Sequence, residues 1–409
     1  MQHTLLANLD ELLSPETLSR LTGVDVVAVE RSPLSAGFAH SGSGLEIIQC
    51  RVADGPAGGD RTANSGPGPR LVLKRVAAEW DWLMRVTEDH HCRSVGLWTH
   101  GLFDRLPAQC EPPVLACSRD GSDESGGRKH SGEAHPDEAH GWALLMQDYG
   151  ESIMTNRPFS IEENRLFLSA AATLHAEFLG DPTPTAEGLG LCRLEHVYGM
   201  FSPATARAEI ALGHKGEIPS RILEGWELAH EVMPPDVMKV VAPLVEDPAP
   251  LCAALRCFPQ TLVHGDFRHS NLAAPRSVPG PSGTTGDLRL VLLDWQLAAH
   301  APPAVELGRY LGANSPLLPE SKDACLEYYR EQFFAAAAAG KSALDRSESD
   351  VRDWWDAQQD LGLLGGFVQD GWAIVLKATH WHVGADAREH WKADLDWWTE
   401  QVRRGARSL

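Results

Sequence analysis

Between Thr261 and Leu297 the chain reads TLVHGDFRHSNLAA, then a Gly/Pro/Ser/Thr-rich filler, then LRLVLLDWQLA. Thr261 to Val263 and Leu288 to Leu293 are short apolar runs of the kind that form buried strands. Three polar residues leave the ends of these runs: Asp266, Asn271 and Asp294. A carboxylate at the mouth of a buried strand is costly unless something meets its charge. A divalent cation does so, and Mg²⁺ takes carboxylate and amide oxygens while sharing itself with substrate phosphates. Asp-x4-Asn followed by a strand-end Asp is the spacing of phosphoryl-transfer sites, one Asp facing a hydroxyl and the other two residues facing metal.

The rest of the chain sets limits on that chemistry. At 409 residues it exceeds one small core and suits two lobes. The formal net charge of −20 argues against a nucleic-acid partner, which needs clustered Lys and Arg. No apolar run is long enough to span a membrane, and the N-terminus MQHTLLANLDELLSPETLSRLTG lacks the basic start of a signal peptide, so a cytoplasmic protein is expected. The eight cysteines are scattered without a CxxC pair and read as reduced, mostly buried thiols with no zinc site.

In chain order, Ser14, Pro15 and Gly23 bracket a short helix. Val24 to Val29 is a first strand, and SPLSAGFAHSGSGLEIIQCRV is a small-residue turn between two strands. Residues 53–69 read as a loop, and Leu71 to Lys74 as a buried strand ending in a lysine that needs an anion or water. Ser118 to Gly141 is a charged, glycine-rich loop; its histidines 130, 135 and 140 are spaced for solvent rather than metal. Trp142 to Met146 is a buried strand. Ser160 to Glu163 is a capping box that opens a helix with Leu166, Ala170, Leu174 and Phe178 on one face and His175 beside it. Residues 181–260 read as helices joined by Pro- and Gly-rich turns. The tryptophans of the last 60 residues read mainly as core; rings near Asp386, Glu389 and Asp394 are the alternative, a surface for a cation or a sugar face.

HGDFRHSN followed by LLDWQ resembles the catalytic segment of the aminoglycoside phosphotransferase and choline kinase family, distant relatives of the protein kinases. PPAVELGRYLGANSPLLPESKDACLEYYRE also resembles bacterial members of that family with unassigned substrates. With Lys74, the resemblance spans roughly residues 25 to 375. It implies an α+β, bilobal protein-kinase-like fold: a helical segment at 1–23, an antiparallel-sheet N-lobe at 24–149, and a mostly helical C-lobe at 150–409. The implied activity is ATP- and Mg²⁺-dependent phosphorylation of a hydroxyl on a small molecule, such as an aminoglycoside, an amino sugar or other sugar, or an amino alcohol.

The same resemblance assigns roles. Asp266 accepts or orients the proton of the attacking hydroxyl, Arg268 neutralises the transferred phosphoryl group, and Asn271 and Asp294 hold the metal. Lys74 reaches the nucleotide phosphates, under a loop carrying Ser35, Gly37, Ser41 and Gly42. Met146, Gln147, Asp148 and Tyr149 form the hinge that meets adenine. His264 is expected to hold the loop to the backbone near Asp294, and Glu306 stands where relatives carry an Asp that steadies that loop. The chain departs from the pattern at Ser94, where a glutamate is expected to orient Lys74. Glu88 is the first substitute, with Asp89 and Glu79 behind it. The rival reading is a nucleotide-binding pseudokinase acting as a sensor; a third is nucleotidyl transfer. Oligomeric state is left open.

Overall fold

A computed structural model describes residues 3–34, 42–53, 65–121, 141–155, 157–185, 188–213, 217–276, 286–315, 317–339, 354–379 and 385–409. Ser35, Gly37, Ser41, the histidines at 130, 135 and 140, and Trp381 lie outside the described residues. The chain divides into two compact units. One comprises Met1–Arg85, Asp89–Arg105 and Pro112–Gly150; the other comprises Val86–Glu88, Leu106–Glu111 and Glu151–Leu409.

Among the described residues ten strands follow one another: β1 Val26–Pro33, β2 Gly44–Ala53, β3 Ser65–Val76, β4 Cys110–Glu111, β5 Ala116–Arg119, β6 Trp142–Gln147, β7 Thr261–Val263, β8 Leu272–Ala273, β9 Leu290–Leu292 and β10 Ala299–Ala301. The first unit is built on a five-stranded sheet in the order β1-β2-β3-β6-β5, with every neighbouring pair antiparallel. Before it, Ser14 caps the Pro15–Thr22 helix by accepting from Thr17 N, and Gly23 ends that helix at φ 73°.

Strand β3 is longer than the expected Leu71 to Lys74, and it takes in Pro67 and Pro69. β6 pairs with β3 over Leu71 to Val76, so among the described residues the Ser65 to Arg70 half is paired by β2 alone. Proline is tolerated where a strand lacks a second neighbour, because the missing N–H breaks no ladder there. Ser118 and Arg119, expected in a loop, belong to β5 for the same kind of reason: β6 is available to pair with them.

The second unit is mostly helical. The capping box at Ser160 is complete, with Glu163 returning a bond to the Ser160 backbone, and it opens the helix Ile161–Glu177. The α+β class expected from the sequence is the class observed: an antiparallel sheet in one unit, helices in the other. Two helices, Ala304–Asn314 and Trp355–Thr379, are buried along most of their length, Glu306, Arg309 and Asp370 included. They touch through glycines. A Cβ on Gly366 would lie 2.6 Å from Gly308 Cα, and one on Gly308 would run into the Gly362 carbonyl oxygen. Trp355, Trp372, Trp391 and Trp398 are all buried. Among the described residues no helix is long and apolar enough to cross a membrane.

Candidate active site

The second unit carries the Asp266 loop. β7 pairs with β10, and β8 and β4 flank β9, so the apolar runs around the loop are anchored on short ladders. Beyond β7 the backbone turns at Gly265, at φ 79°, where a Cβ would collide with the Leu297 carbonyl oxygen. Only glycine fits both demands. Glu306 receives the two backbone N–H groups that open the loop, His264 N at 2.5 Å and Gly265 N at 3.0 Å. It therefore holds the loop as an aspartate was expected to in relatives. Asn314 clasps the loop further on, accepting from His269 N at 2.6 Å and donating to Phe267 O at 3.1 Å.

His264 ties the two motifs together. Its Nδ1 accepts from Asp266 N at 3.2 Å, and its Nε2 lies 2.8 Å from Leu293 O. Those partners define a neutral ring with the proton on Nε2. Leu293 N also donates to Asn271 O at 2.8 Å. Asn271 and Asp294 thus converge, although the sequence sets them 23 positions apart. Asp294 itself adopts the left-handed conformation at φ 62°, ψ 70°, a strained state for a non-glycine residue that often marks functional positions.

Asp266 is buried at the centre of a charged cluster. Its Oδ1 accepts from Arg309 Nε at 2.9 Å and Nη2 at 2.6 Å; its Oδ2 accepts from Asn271 Nδ2 at 2.7 Å and Arg268 Nε at 3.2 Å. Burial alone would raise its pKa, but Arg268 and Arg309 prevail and hold the carboxyl well below the usual range. The second side of the Arg309 guanidinium pairs with Asp370, whose own carboxyl is pushed up by burial against the pull of Arg309. Burial and the nearby Arg268 and Lys377 push His269 down to about 4, so it is an uncharged imidazole at neutral pH. The aromatic rings near Asp394 face the protein's own lysines: Lys377 over Trp391 at 4.5 Å and Lys322 over Trp397 at 5.4 Å, with Lys322 also paired to Asp394.

The donor set suits Mg²⁺. Asn271 gives its amide N–H groups to Asp266 O and Oδ2, leaving Oδ1 as an acceptor, and Asp294 adds a carboxylate. Two oxygen-bearing side chains match how this ion is usually held, with the remaining positions left to water and substrate phosphates. Among the described residues no cluster of three His, Cys, Asp or Glu forms a metal site of the all-protein kind.

In the first unit, Lys74 lies on β3 opposite Leu45 of β2 and Leu144 of β6, and is only 9% exposed. Burial and Asp89 push the Cys92 thiol up; Lys74 pulls it the other way, and Asp81 adds a smaller upward push. Lys74, Asp81 and Asp89 thus all act on that one buried thiol. Asp81 accepts from Ser43 Oγ at 2.7 Å and from Leu83 N and Met84 N, and Asp89 accepts from Arg93 N. Glu88, ranked first for Lys74, is placed otherwise: its side chain is 62% exposed and its carboxylate lies 3.8 Å from His196. The reason is local, since Glu88 sits at φ 52° and the chain reverses there. Ser94 is buried in the short Arg93–Thr99 helix. Gly42 sits at φ 104° with its missing Cβ directed at the Trp80 carbonyl oxygen. β5 accompanies β6 only to Leu145, so among the described residues no strand pairs the backbone from Met146 onward on that side. Gln147 is exposed, Tyr149 is buried, and the Asp148 carboxylate is taken by Arg70 at 2.7 Å and Gly150 N at 2.9 Å.

Sequence reasoning missed Arg309, Asp370, Asn314 and Asp81. A signal existed for the first two, because each is a charge set among apolar residues of a helix, AVELGRYLG (with Glu306) and LLGGFVQDGW. Such a charge must find a partner, but nothing in the sequence says which.

In its HGDFRHSN and LLDWQ segments the chain resembles the aminoglycoside phosphotransferase and choline kinase family. No family profile matches the chain, and no curated protein matches it. Solved structures similar to it include a choline kinase from Cryptosporidium parvum Iowa II, at 9% identity over 92% of this chain and 89% of that one, with a TM-score of 0.44. A spectinomycin phosphotransferase in complex with ADP and spectinomycin is similar at 11% identity over 95% and 97% of the two chains, TM-score 0.41. An amicoumacin kinase in complex with AMP-PNP and Ca²⁺ is similar at 13% identity over 95% and 93%, TM-score 0.41.

Proposed function

We propose that this chain is an ATP- and Mg²⁺-dependent phosphotransferase that phosphorylates a hydroxyl of a small molecule, such as an aminoglycoside, an amino sugar or other sugar, or an amino alcohol. The observation that carries the reading is the convergence of Asp266, Asn271 and Asp294, fixed by the His264 ring and the Leu293 N to Asn271 O bond. Asn271 and Asp294 would hold the ion, which when bound supplies charge neutralisation across the phosphates. Asp266, with its carboxyl held far below neutrality, is a weak base. It orients the acceptor hydroxyl by accepting its hydrogen bond, and it takes the proton only as the new oxygen–phosphorus bond forms and the bond to the leaving oxygen of the nucleoside diphosphate breaks. Arg268 stands by to meet the charge of the moving phosphoryl group. In the first unit, Lys74 would bind phosphates, with Asp81 and Asp89 as the carboxylates able to orient it. The Gly42 turn would cover the phosphates, and the backbone of Met146 to Tyr149 would meet the base.

The test is thermal stability and ATP turnover with Mg·ATP, for wild type and Asp294→Ala, against a panel of aminoglycosides, sugars and amino alcohols. Wild type is expected to be stabilised by nucleotide only with metal and to turn over with one acceptor class; Asp294→Ala loses both. At 100-fold excess over Kd, binding adds about 2.7 kcal/mol of stability, which a melting curve resolves. Stabilisation without turnover across the panel would favour a nucleotide-binding module. No nucleotide effect in the wild type would end the phosphotransferase reading.

A further inference from the structure

An ionised carboxylate offers about four lone-pair sites. In Asp266 four N–H groups occupy them: two from Arg309 on Oδ1, and one each from Asn271 and Arg268 on Oδ2. An acceptor hydroxyl can therefore bind Asp266 only by exchanging with one of these donors. Arg309 and Asn271 are buried and bond at 2.6 to 2.9 Å, whereas Arg268 is 29% exposed and bonds at 3.2 Å. Arg268 is the donor that yields.

We propose that Arg309, anchored by Asp370, is the positioning residue that fixes the Asp266 carboxylate, so that Oδ2 receives the acceptor hydroxyl in the place Arg268 vacates. The proposal rests on the phosphotransferase reading and adds a part that the motif does not contain. Its geometry is a relay across three elements. Gly308 and Gly366 bring two buried helices into backbone contact, and that contact sets Arg309 against Asp370. The guanidinium then meets Oδ1 with two N–H groups, which fixes that oxygen, while the Asn271 bond to Oδ2 sets the rotation of the carboxylate. Arg309 touches neither nucleotide nor acceptor in this scheme. Its effect is exerted through Asp266.

A buried ion pair also contributes to folding, so the experiment must separate the two roles. Replacing such a pair by apolar residues of similar size often restores stability, whereas removing one partner does not. The measurement is melting temperature, kcat and the KM for Mg·nucleotide and acceptor, in wild type, Arg309→Met, Asp370→Leu and the double variant. The expected result is loss of melting temperature in each single variant and recovery in the double variant. kcat should stay down about 100-fold in the double variant, the scale of a small misplacement of a reacting group, with the nucleotide KM within threefold of wild type. Asp370→Asn, which keeps shape and removes only the anchoring charge, should fold normally and lower kcat about tenfold. A double variant with wild-type kcat, or an unchanged Asp370→Asn, overturns the proposal and leaves the phosphotransferase reading intact. A wild type that binds no Mg·nucleotide overturns that reading, and this proposal with it.

Discussion

A buried arginine is tolerable only when its charge and its donors are met, and Arg309 is met on both sides by carboxylates from different elements. Lys377, on the same helix as Asp370, lies in that field without sharing its balance. Burial, with Arg309 and Arg268 adding and Asp370 and Asp394 opposing, pushes its pKa down to about 8. An unfolded lysine titrates near 10.4. Between these values the unfolded chain binds more protons than the folded one, so stability rises with pH across that window. Below about pH 8 the penalty of the buried charge is fully present. Comparing wild type with Lys377→Met by denaturant unfolding at pH 7 and pH 10 checks this: the advantage of the methionine variant should shrink as pH rises. At this scale Asp266, Asn271 and Asp294 were legible, because polar residues ending apolar runs demand an explanation within one short segment. Arg309 and Asp370 were not, because 61 positions separate them and either could have met many partners.

Among elements, local chemistry was read best. The caps at Ser14 and Ser160 depend on a hydroxyl and the next few backbone N–H groups, so the sequence contains every participant. Strand extents were read less well. The run from Leu288 to Leu293 forms a ladder only at Leu290–Leu292, and β3 extends through two prolines, because pairing is granted by the neighbour and not by propensity. The close helix pair is the strongest case. Gly308, Gly362 and Gly366 look like weak points in a helix, and their purpose appears only once the second helix is in place. Gly366→Ala puts a Cβ 2.6 Å from Gly308 Cα and 2.7 Å from its carbonyl group, all backbone that cannot rotate away. The helices must separate, at a cost of about 1–3 kcal/mol, and Arg309 moves with them. A lower melting temperature together with lower turnover is expected; an unchanged melting temperature would count against the close packing.

For the whole molecule, the cysteines provide a test of burial. Seven are buried, and Cys257 is the exposed one. Burial pushes several thiols up, Cys110 and Cys252 each to about 12, which further suppresses their reactivity. A chromogenic disulfide reagent should therefore titrate one thiol rapidly in the native protein and eight in guanidinium; two or more fast native thiols would show that a core is open. The sequence by itself pointed to the α+β class through the resemblance its HGDFRHSN and LLDWQ segments carry, and it marked the three polar residues at the ends of apolar runs. The second of these follows from patterns a few residues long, where period and turn chemistry act on neighbours. Only the tertiary structure decided that Glu88 turns to His196, that the buried Asp81 accepts from Ser43, and that Arg309 joins Asp266 to Asp370. The physical reason is the same in all three cases. A buried charge requires a partner, and which partner it finds depends on which distant segments the packing of the core brings within reach.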